Sequence, residues 1–308
     1  MLFLIIVRII LYLYTIKIMK QLLTIFFTFL FCSAIFSQEE IKPFSLDTDY
    51  FYGNIFEHSP DIAHLIAEHP NGFLLAFNKK TFGNKEWERQ YSFPDWGFSF
   101  IYQDFKKPSL GEQFGIYGHY NFYFIKRNLL FSIGTGISYN TNPYNIDTNF
   151  ENNAYGSYIL STTFFRANYI KENIWKGLGL HAGILFIHYS NGNLEAPNSS
   201  TNTLAINAGL SYLLDYKNLP DYNSERDGND YSERIKYNIA FRSGVNSSDV
   251  IGLGQHPFYV VSTFVDKRLN YKSTIQVGAD LFLTEFLKEF IEYRSIAYPE
   301  DNLTGDED

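Results

Sequence analysis

The stretch GLGLHAGILFIHYS, residues 177–190, decides how this chain is expected to fold. Its even positions are apolar until the last two: Leu178, Leu180, Ala182, Ile184, Phe186, His188 and Ser190. Its odd positions begin with glycine and histidine: Gly177, Gly179, His181, Gly183, Leu185, Ile187 and Tyr189. Because side chains alternate across a β-strand, the stretch predicts a strand whose apolar face ends in two reactive groups. A histidine and a serine in that position suit a protein that acts on lipid.

The composition favours an all-β protein over other classes. The chain has 308 residues, of which 19% are aromatic, with 24 Tyr and 30 Phe. Tyr and Phe are common in β-strands, and rings of aromatic residues are typical of transmembrane barrels. The formal net charge of −8 argues against nucleic-acid binding. The mean hydropathy of −0.17 is too low for a helical membrane protein but suits a barrel with a polar interior.

The N-terminal region reads as a targeting segment. A basic start at Met19 and Lys20 precedes an apolar core and small residues, so we predict a signal peptide region over residues 1–37 with Met19 as the true start. Two transmembrane helices are the competing interpretation. The only cysteine, Cys32, lies in this region, so cleavage after Ser37 would leave a mature protein without a thiol.

Alternation of apolar and polar residues recurs along the chain and predicts about eleven strands. They are placed at 47–56, 72–80, 96–102, 113–124, 129–139, 158–169, 177–190, 202–214, 235–245, 257–266 and 272–283. We therefore predict an antiparallel transmembrane β-barrel of the outer-membrane type, with more than eight strands, over residues 38–290. Since such barrels have even strand counts, the odd count and the acidic residues 291–308 predict a tail or a truncated C-terminal end. Long loops at 140–156 and 191–201 are expected on one side of the membrane.

Five histidines other than His188 are predicted to be structural. His58, His64 and His69 follow one another in a polar stretch, but their spacings match no common zinc-ligand pattern. They are therefore expected to be exposed loop residues. His119 and His181 lie on the proposed interior face, where hydrogen-bonded histidines are expected.

Two arginines, Arg166 and Arg242, also fall on strands of the predicted barrel. Each could pair with carboxylates of the interior or bind a lipid phosphate, and the pairing is the favoured interpretation.

His188 and Ser190 carry the chemistry that the sequence suggests. Residues two apart on one strand are separated by roughly 6.6 Å at the backbone, so the imidazole can reach the hydroxyl. Together they supply the base and the nucleophile of a serine hydrolase. A membrane span needs about 9–11 tilted strand residues, so the pair would lie near the outer end of the apolar band. Asn202 opens the next strand and could orient the imidazole, as the third member of a triad does.

The segment HYSNGNLEAPN, residues 188–198, resembles the active-site segment of the outer-membrane lipid A 3-O-deacylases, the PagL-like acyloxyacyl hydrolases. The resemblance extends from about Gly183 to Gly209. It implies a β-barrel in the bacterial cell outer membrane that removes an ester-linked acyl chain from lipid A of lipopolysaccharide. The family members are compact and eight-stranded, so the additional strands predicted here have no counterpart role.

The resemblance also assigns roles to single residues. It implies that His188 is the general base, that Ser190 is the nucleophile, and that Asn191 and Gly192 provide oxyanion donors. The family has a Glu where this chain has Asn202, which can orient the imidazole but offers it no charge. Glu195 in the loop is the alternative orienting group. No metal or cofactor is implied, and the expected partners are lipopolysaccharide and outer-membrane lipid.

Two other functions remain open from the sequence. One is a non-enzymatic outer-membrane barrel, a pore or a surface-binding protein that retains the motif without using it. The other is a phospholipase that uses the same His/Ser pair.

Overall fold

Strands are the dominant secondary structure in the part of the chain that the structure describes. The computed structural model describes residues 43–225, 233–248 and 250–304. The predicted signal region 1–37, with Cys32, lies outside these residues. The strands are β1 Phe44–Ile55, β2 Asn71–Lys79, β3 Asp95–Asp104, β4 Glu112–Phe124, β5 Leu129–Asn140, β6 Ile159–Trp175, β7 Leu178–Ser190, β8 Thr201–Leu213, β9 Lys236–Asn246, β10 His256–Arg268 and β11 Thr274–Thr284. The helices are α1 Glu86–Gln90 and α2 Phe286–Ala297, with 3₁₀ turns at Pro60–Leu65 and Pro299–Asp301.

The first eight strands close into a barrel. Each pairs antiparallel with the next, and β1 pairs with β8 from Ser45–Leu213 to Ile55–Thr203. The predicted all-β antiparallel barrel is therefore confirmed. The prediction of more than eight strands in the barrel is corrected, because the β1–β8 pairing occupies both edges and leaves none for a further strand. Strands β9 to β11 form a separate three-stranded sheet, in the order β11-β10-β9.

Connections of different length lie at the two ends of the barrel. At the end that we call the loop end lie L1 (56–70), L2 (105–111), L3 (141–158) and L4 (191–200). At the opposite end, the connections after β4 and β6 are short turns. This arrangement agrees with the long loops predicted for one side. An exception is the connection after β2, which carries α1 at the end of the short turns.

Strand β7 shows the alternation that its sequence predicts. On one side, Leu180 and Ile184 are 51% and 53% exposed. On the other, Leu185, Ile187 and Tyr189 are fully buried in the barrel interior. The apolar even-numbered positions therefore face outward, as they do in barrels that contact lipid.

Side chains fill the barrel interior, and the loops cover its loop end. An eight-stranded barrel has an interior just wide enough for side chains. Near the loop end, Tyr189 packs edge-on against Phe105 of L2, and Tyr155 of L3 lies beside Phe105. Ile62 and Leu65, from the 3₁₀ turn of L1, are buried in the same cluster. The loops thus form an apolar plug over the interior.

Arg166 is the centre of a buried polar network in the middle of the barrel. Its guanidinium donates to Asp49 over 2.7 Å and to Asp47 over 3.3 Å. His181 Nε2 and Asn207 Nδ2 also donate to Asp49, over 2.8 and 2.6 Å. This confirms the expected pairing of Arg166 with interior carboxylates and the hydrogen-bonded role of His181. The other predicted interior histidine, His119, is buried and bonded to Ser99 and Asn78.

The three-stranded sheet repeats the barrel's alternation but encloses nothing. The side chains of Tyr237, Ile239 and Phe241 on β9 are exposed on one face. On the other face, Arg242 lies 3.4 Å from Asp280 of β11, with 59% of its side chain exposed. The alternation that predicted eleven barrel strands is thus present, although Arg242 faces no barrel interior.

Among the described residues, no helix combines the length and the apolar character needed to cross a bilayer.

Replacing Arg166 by Leu is expected to destabilise the barrel strongly. The change leaves the carboxylates of Asp47 and Asp49 buried without their cation, which costs about 3–5 kcal/mol. The free energy of unfolding, measured by urea titration of the detergent-refolded protein, checks this. Arg242→Leu is the matched control, since its exposed pair contributes about 0–1 kcal/mol. If both variants lost the same free energy of unfolding, the buried network would not stabilise the barrel more than the exposed pair does.

Candidate functional site

His188 is held by its neighbour across the strand pair. His188 of β7 lies opposite Asn202 of β8 in the register. Their side chains meet, with 2.7 Å between Nδ1 of His188 and Oδ1 of Asn202. Because an amide oxygen only accepts hydrogen bonds, the ring proton lies on Nδ1 and the lone pair of the neutral ring lies on Nε2. The imidazole is thereby oriented with a basic nitrogen free, and Asn202 takes the place in the structure that the sequence assigned to it.

Ser190 ends β7, and its hydroxyl is surrounded by atoms of L4. Its Oγ donates to Asn198 Oδ1 over 3.2 Å, and Asn198 Nδ2 lies 3.1 Å from the same Oγ. The backbone N–H of Gly192 donates to Oγ over 3.0 Å. Two N–H donors, from Gly192 and Asn198, therefore converge on Oγ of Ser190.

His188 and Ser190 share the outward face but are not hydrogen-bonded to each other. Both side chains are half-buried, on the same side of β7 as the exposed Ile184. Within the described part of the chain, His188 Nε2 has no hydrogen-bond partner. A catalytic pair of this kind often closes its hydrogen bond only when substrate is present.

Asn191 is hydrogen-bonded within L4, and Glu195, the alternative orienting group, lies apart from His188. The backbone N–H of Asn191 donates to Asn198 Oδ1 over 2.8 Å, and its side-chain amide donates to the carbonyl of Glu195. Both N–H donors of Asn191 are thus bonded to other residues of L4. The backbone N–H of Gly192, by contrast, points to Oγ of Ser190. The side chain of Glu195 is exposed and contacts neither His188 nor any other hydrogen-bonding group among the described residues. Asn202, rather than Glu195, orients the imidazole.

Asn198 is the residue of this site to which sequence reasoning gave no role. It lies in the quoted motif, but its position eight residues after Ser190 gives no spacing argument. Loop L4 folds back so that one amide contacts both Ser190 and Asn191. Ser199 and Ser200, which follow it, are held to L3 by backbone hydrogen bonds to Asn153 and Ala154.

The three loop histidines have separate partners and do not form a cluster. His58 bonds to the carbonyl of Ser199, and His64 to the carbonyl of Glu151. His69 contacts the side chain of Asn54. No group of three or more His, Cys, Asp or Glu side chains within the described ranges could hold a metal ion. The histidines instead tie L1 to neighbouring loops and to β1.

The fold and the site define a class of protein: a closed antiparallel barrel with an apolar outer surface and a His–Ser pair on that surface, at the rim of its loop end. The model of the family described as Lipid A 3-O-deacylase (PagL) matches residues 71–211. The resemblance seen in the sequence is therefore confirmed for these residues, which include β2 to β7 and nearly all of β8. The family match and the apolar belt locate the chain in the bacterial outer membrane, as the sequence predicted.

Comparison with solved structures finds two similar chains. The crystal structure of the outer membrane enzyme PagL is 15% identical, with a TM-score of 0.32, and the match covers 53% of this chain and 97% of that one. The crystal structure of Neisserial surface protein A (NspA) is 13% identical, with a TM-score of 0.32, and the match covers 55% of this chain and 96% of that one. No curated protein matches the chain.

Proposed function

We propose that this protein is a serine esterase of the outer membrane that removes an ester-linked acyl chain from lipid A of lipopolysaccharide. The observation that carries the proposal is the outward-facing pair His188 and Ser190, with His188 oriented by Asn202 over 2.7 Å. The match of residues 71–211 to the lipid A 3-O-deacylase family supports the same substrate and bond.

The residues of the site suffice for acyl transfer without another group. Nε2 of His188 takes the proton of the Ser190 hydroxyl as Oγ attacks the ester carbonyl carbon. As Oγ bonds to the carbonyl carbon, the N–H groups of Gly192 and Asn198, which donate to Oγ in the free protein, turn to the oxyanion that forms beside it. Collapse of this intermediate breaks the bond to the sugar oxygen, which takes the proton from His188 and leaves an acyl-serine. Water, deprotonated by His188, then releases the fatty acid and restores Ser190.

The position of the pair explains how a membrane lipid reaches it. Below His188 on the outer surface, Ile184 and Leu180 of β7 and Leu204 of β8 are exposed to the acyl region of the membrane. Ser190 lies at the loop-end limit of β7, where the apolar surface gives way to polar loops. An acylated glycolipid in the outer leaflet therefore presents its ester linkages at the depth of the pair, with its acyl chains along the barrel wall.

Two alternatives are tested by the same protein preparation. A pore requires an open interior, whereas the described strands and loops fill theirs with side chains such as Tyr189 and Arg166. Conductance in planar bilayers without esterase activity would favour the pore. A phospholipase would release fatty acid from glycerophospholipid vesicles as fast as from purified lipopolysaccharide.

Ser190→Ala is expected to abolish deacylation while the barrel still folds, because it removes the nucleophile and leaves the strand pairing intact. Mass spectra of lipid A, from cells that express wild type or variant, measure the loss of the acyl chain. Ser161→Ala is the matched control, since Ser161 lies opposite Ser190 in the β6–β7 register and also faces outward. Unchanged deacylation in Ser190→Ala would overturn the proposed function.

Asn202→Leu is expected to lower kcat by on the order of 10–100-fold, because Nδ1 loses its acceptor and the ring loses its fixed tautomer. Asn202→Glu is expected to retain or raise kcat, since a carboxylate in the same place both orients and stabilises the imidazolium. Initial rates on purified lipopolysaccharide in detergent compare the three proteins. Wild-type rates in Asn202→Leu would contradict the orienting role.

Asn198→Asp is expected to lower kcat by about 10²–10³-fold, because it removes one of the two N–H donors that the oxyanion would use. The variant keeps an oxygen that accepts the backbone N–H of Asn191, so the loop contact of 2.8 Å can persist. The same kinetic assay, with KM determined separately, tests this. A variant with wild-type kcat would exclude Asn198 as an oxyanion donor.

A further inference from the structure

We propose that Ser247 and Gln255, at the two ends of the connection between β9 and β10, form a clamp that positions L4 for catalysis, with Gln255 as its positioning side chain. The proposal rests on the esterase function proposed above. It gives a role to strands that lie beyond residue 211, where the family match ends.

The clamp contacts L4 at its tip. The backbone N–H of Ser247 donates to the carbonyl of Asn193 over 2.6 Å. Nε2 of Gln255 donates to the carbonyl of Leu194 over 2.7 Å. The two donors come from the two ends of one connection, and they bind consecutive carbonyls of L4. Ser247 is buried, so this end of the connection is packed against its surroundings.

The tip of L4 has a backbone conformation that benefits from such support. Asn193 has a φ of 59°, in the left-handed region that most side chains disfavour. Asn tolerates this region better than other non-glycine residues, but the conformation persists only when its surroundings hold it. L3 holds the far end of L4 at Ser199 and Ser200. The clamp holds the tip, which L3 does not reach with a backbone hydrogen bond within the described residues.

A chain of hydrogen bonds links the clamped tip to the nucleophile. Oδ1 of Asn193 accepts from Nδ2 of Asn198 over 2.7 Å. The same Nδ2 lies 3.1 Å from Oγ of Ser190. Asn193 therefore orients the amide that donates to the reacting oxygen. When the tip of L4 moves, the direction of that N–H moves with it.

The expected effect falls on the chemical step rather than on substrate binding. Gln255 donates to the backbone carbonyl of Leu194 and makes no hydrogen bond to His188 or Ser190 among the described residues. Losing its hydrogen bond leaves the lipid surface unchanged but lets Asn193 and Asn198 sample other orientations. Oxyanion stabilisation depends on donors that are fixed before the reaction, so kcat falls while KM does not.

Gln255→Leu tests the clamp in the full-length protein, assayed on purified lipopolysaccharide. We expect kcat to fall about two- to tenfold, the range that one lost hydrogen bond gives, with KM unchanged. Gln255→Lys is expected to recover most of the rate, because its ammonium restores an N–H donor. Gln276→Leu is the matched control, since Gln276 is an exposed glutamine of the same three-stranded sheet, on β11.

A second measurement tests the mobility of L4 directly. Amide hydrogen exchange at residues 191–194 is expected to be faster in Gln255→Leu than in wild type or Gln276→Leu. Unchanged kcat in Gln255→Leu, a rise of KM alone, or unchanged exchange would overturn the clamp while the esterase function stands. A wild-type protein without esterase activity would overturn the proposed function and the clamp together.

Discussion

The pairing of β1 with β8 is the constraint on which the rest of the structure depends. It closes the sheet, and closure gives every residue of the eight strands a fixed side. On β7 this places Tyr189 in the interior while His188 and Ser190, on either side of it in sequence, face outward. A register shift by one residue would reverse all three. The interior network around Arg166 and the apolar cluster beneath the loops therefore both act to keep the site on the lipid side.

The site itself is divided between a rigid and an adaptable part. His188 and Asn202 belong to paired strands, so their contact is fixed by the barrel register. Ser190 is the last strand residue, and the groups around its hydroxyl come from L4. The strand pair therefore fixes the imidazole, whereas the groups around the Ser190 hydroxyl depend on how L4 is held. This division explains why L4 needs support from other parts of the chain.

That support comes from two directions. L3 bonds to the end of L4, and the β9–β10 connection bonds to its tip. The three-stranded sheet carries the same alternating faces as the barrel, but the closed β1–β8 seam excludes it from the wall. A sheet added outside the barrel can contact the loop end without disturbing the strand register. In this way an additional segment could influence the reaction while the barrel remains unchanged.

The sequence by itself determined the all-β class, the approximate positions of the eleven strands, and the outward face of His188 and Ser190. Each of these follows from period-two alternation and strand order, which are local properties of the chain. Only the tertiary structure decided that eight strands close the barrel, because any strand can pair with any other of suitable length and pattern. It also decided that Asn191 is committed within L4 while Asn198 faces Ser190, and that Gln255 reaches Leu194. Those contacts depend on how loops fold back in space, and no periodicity in the sequence records that path.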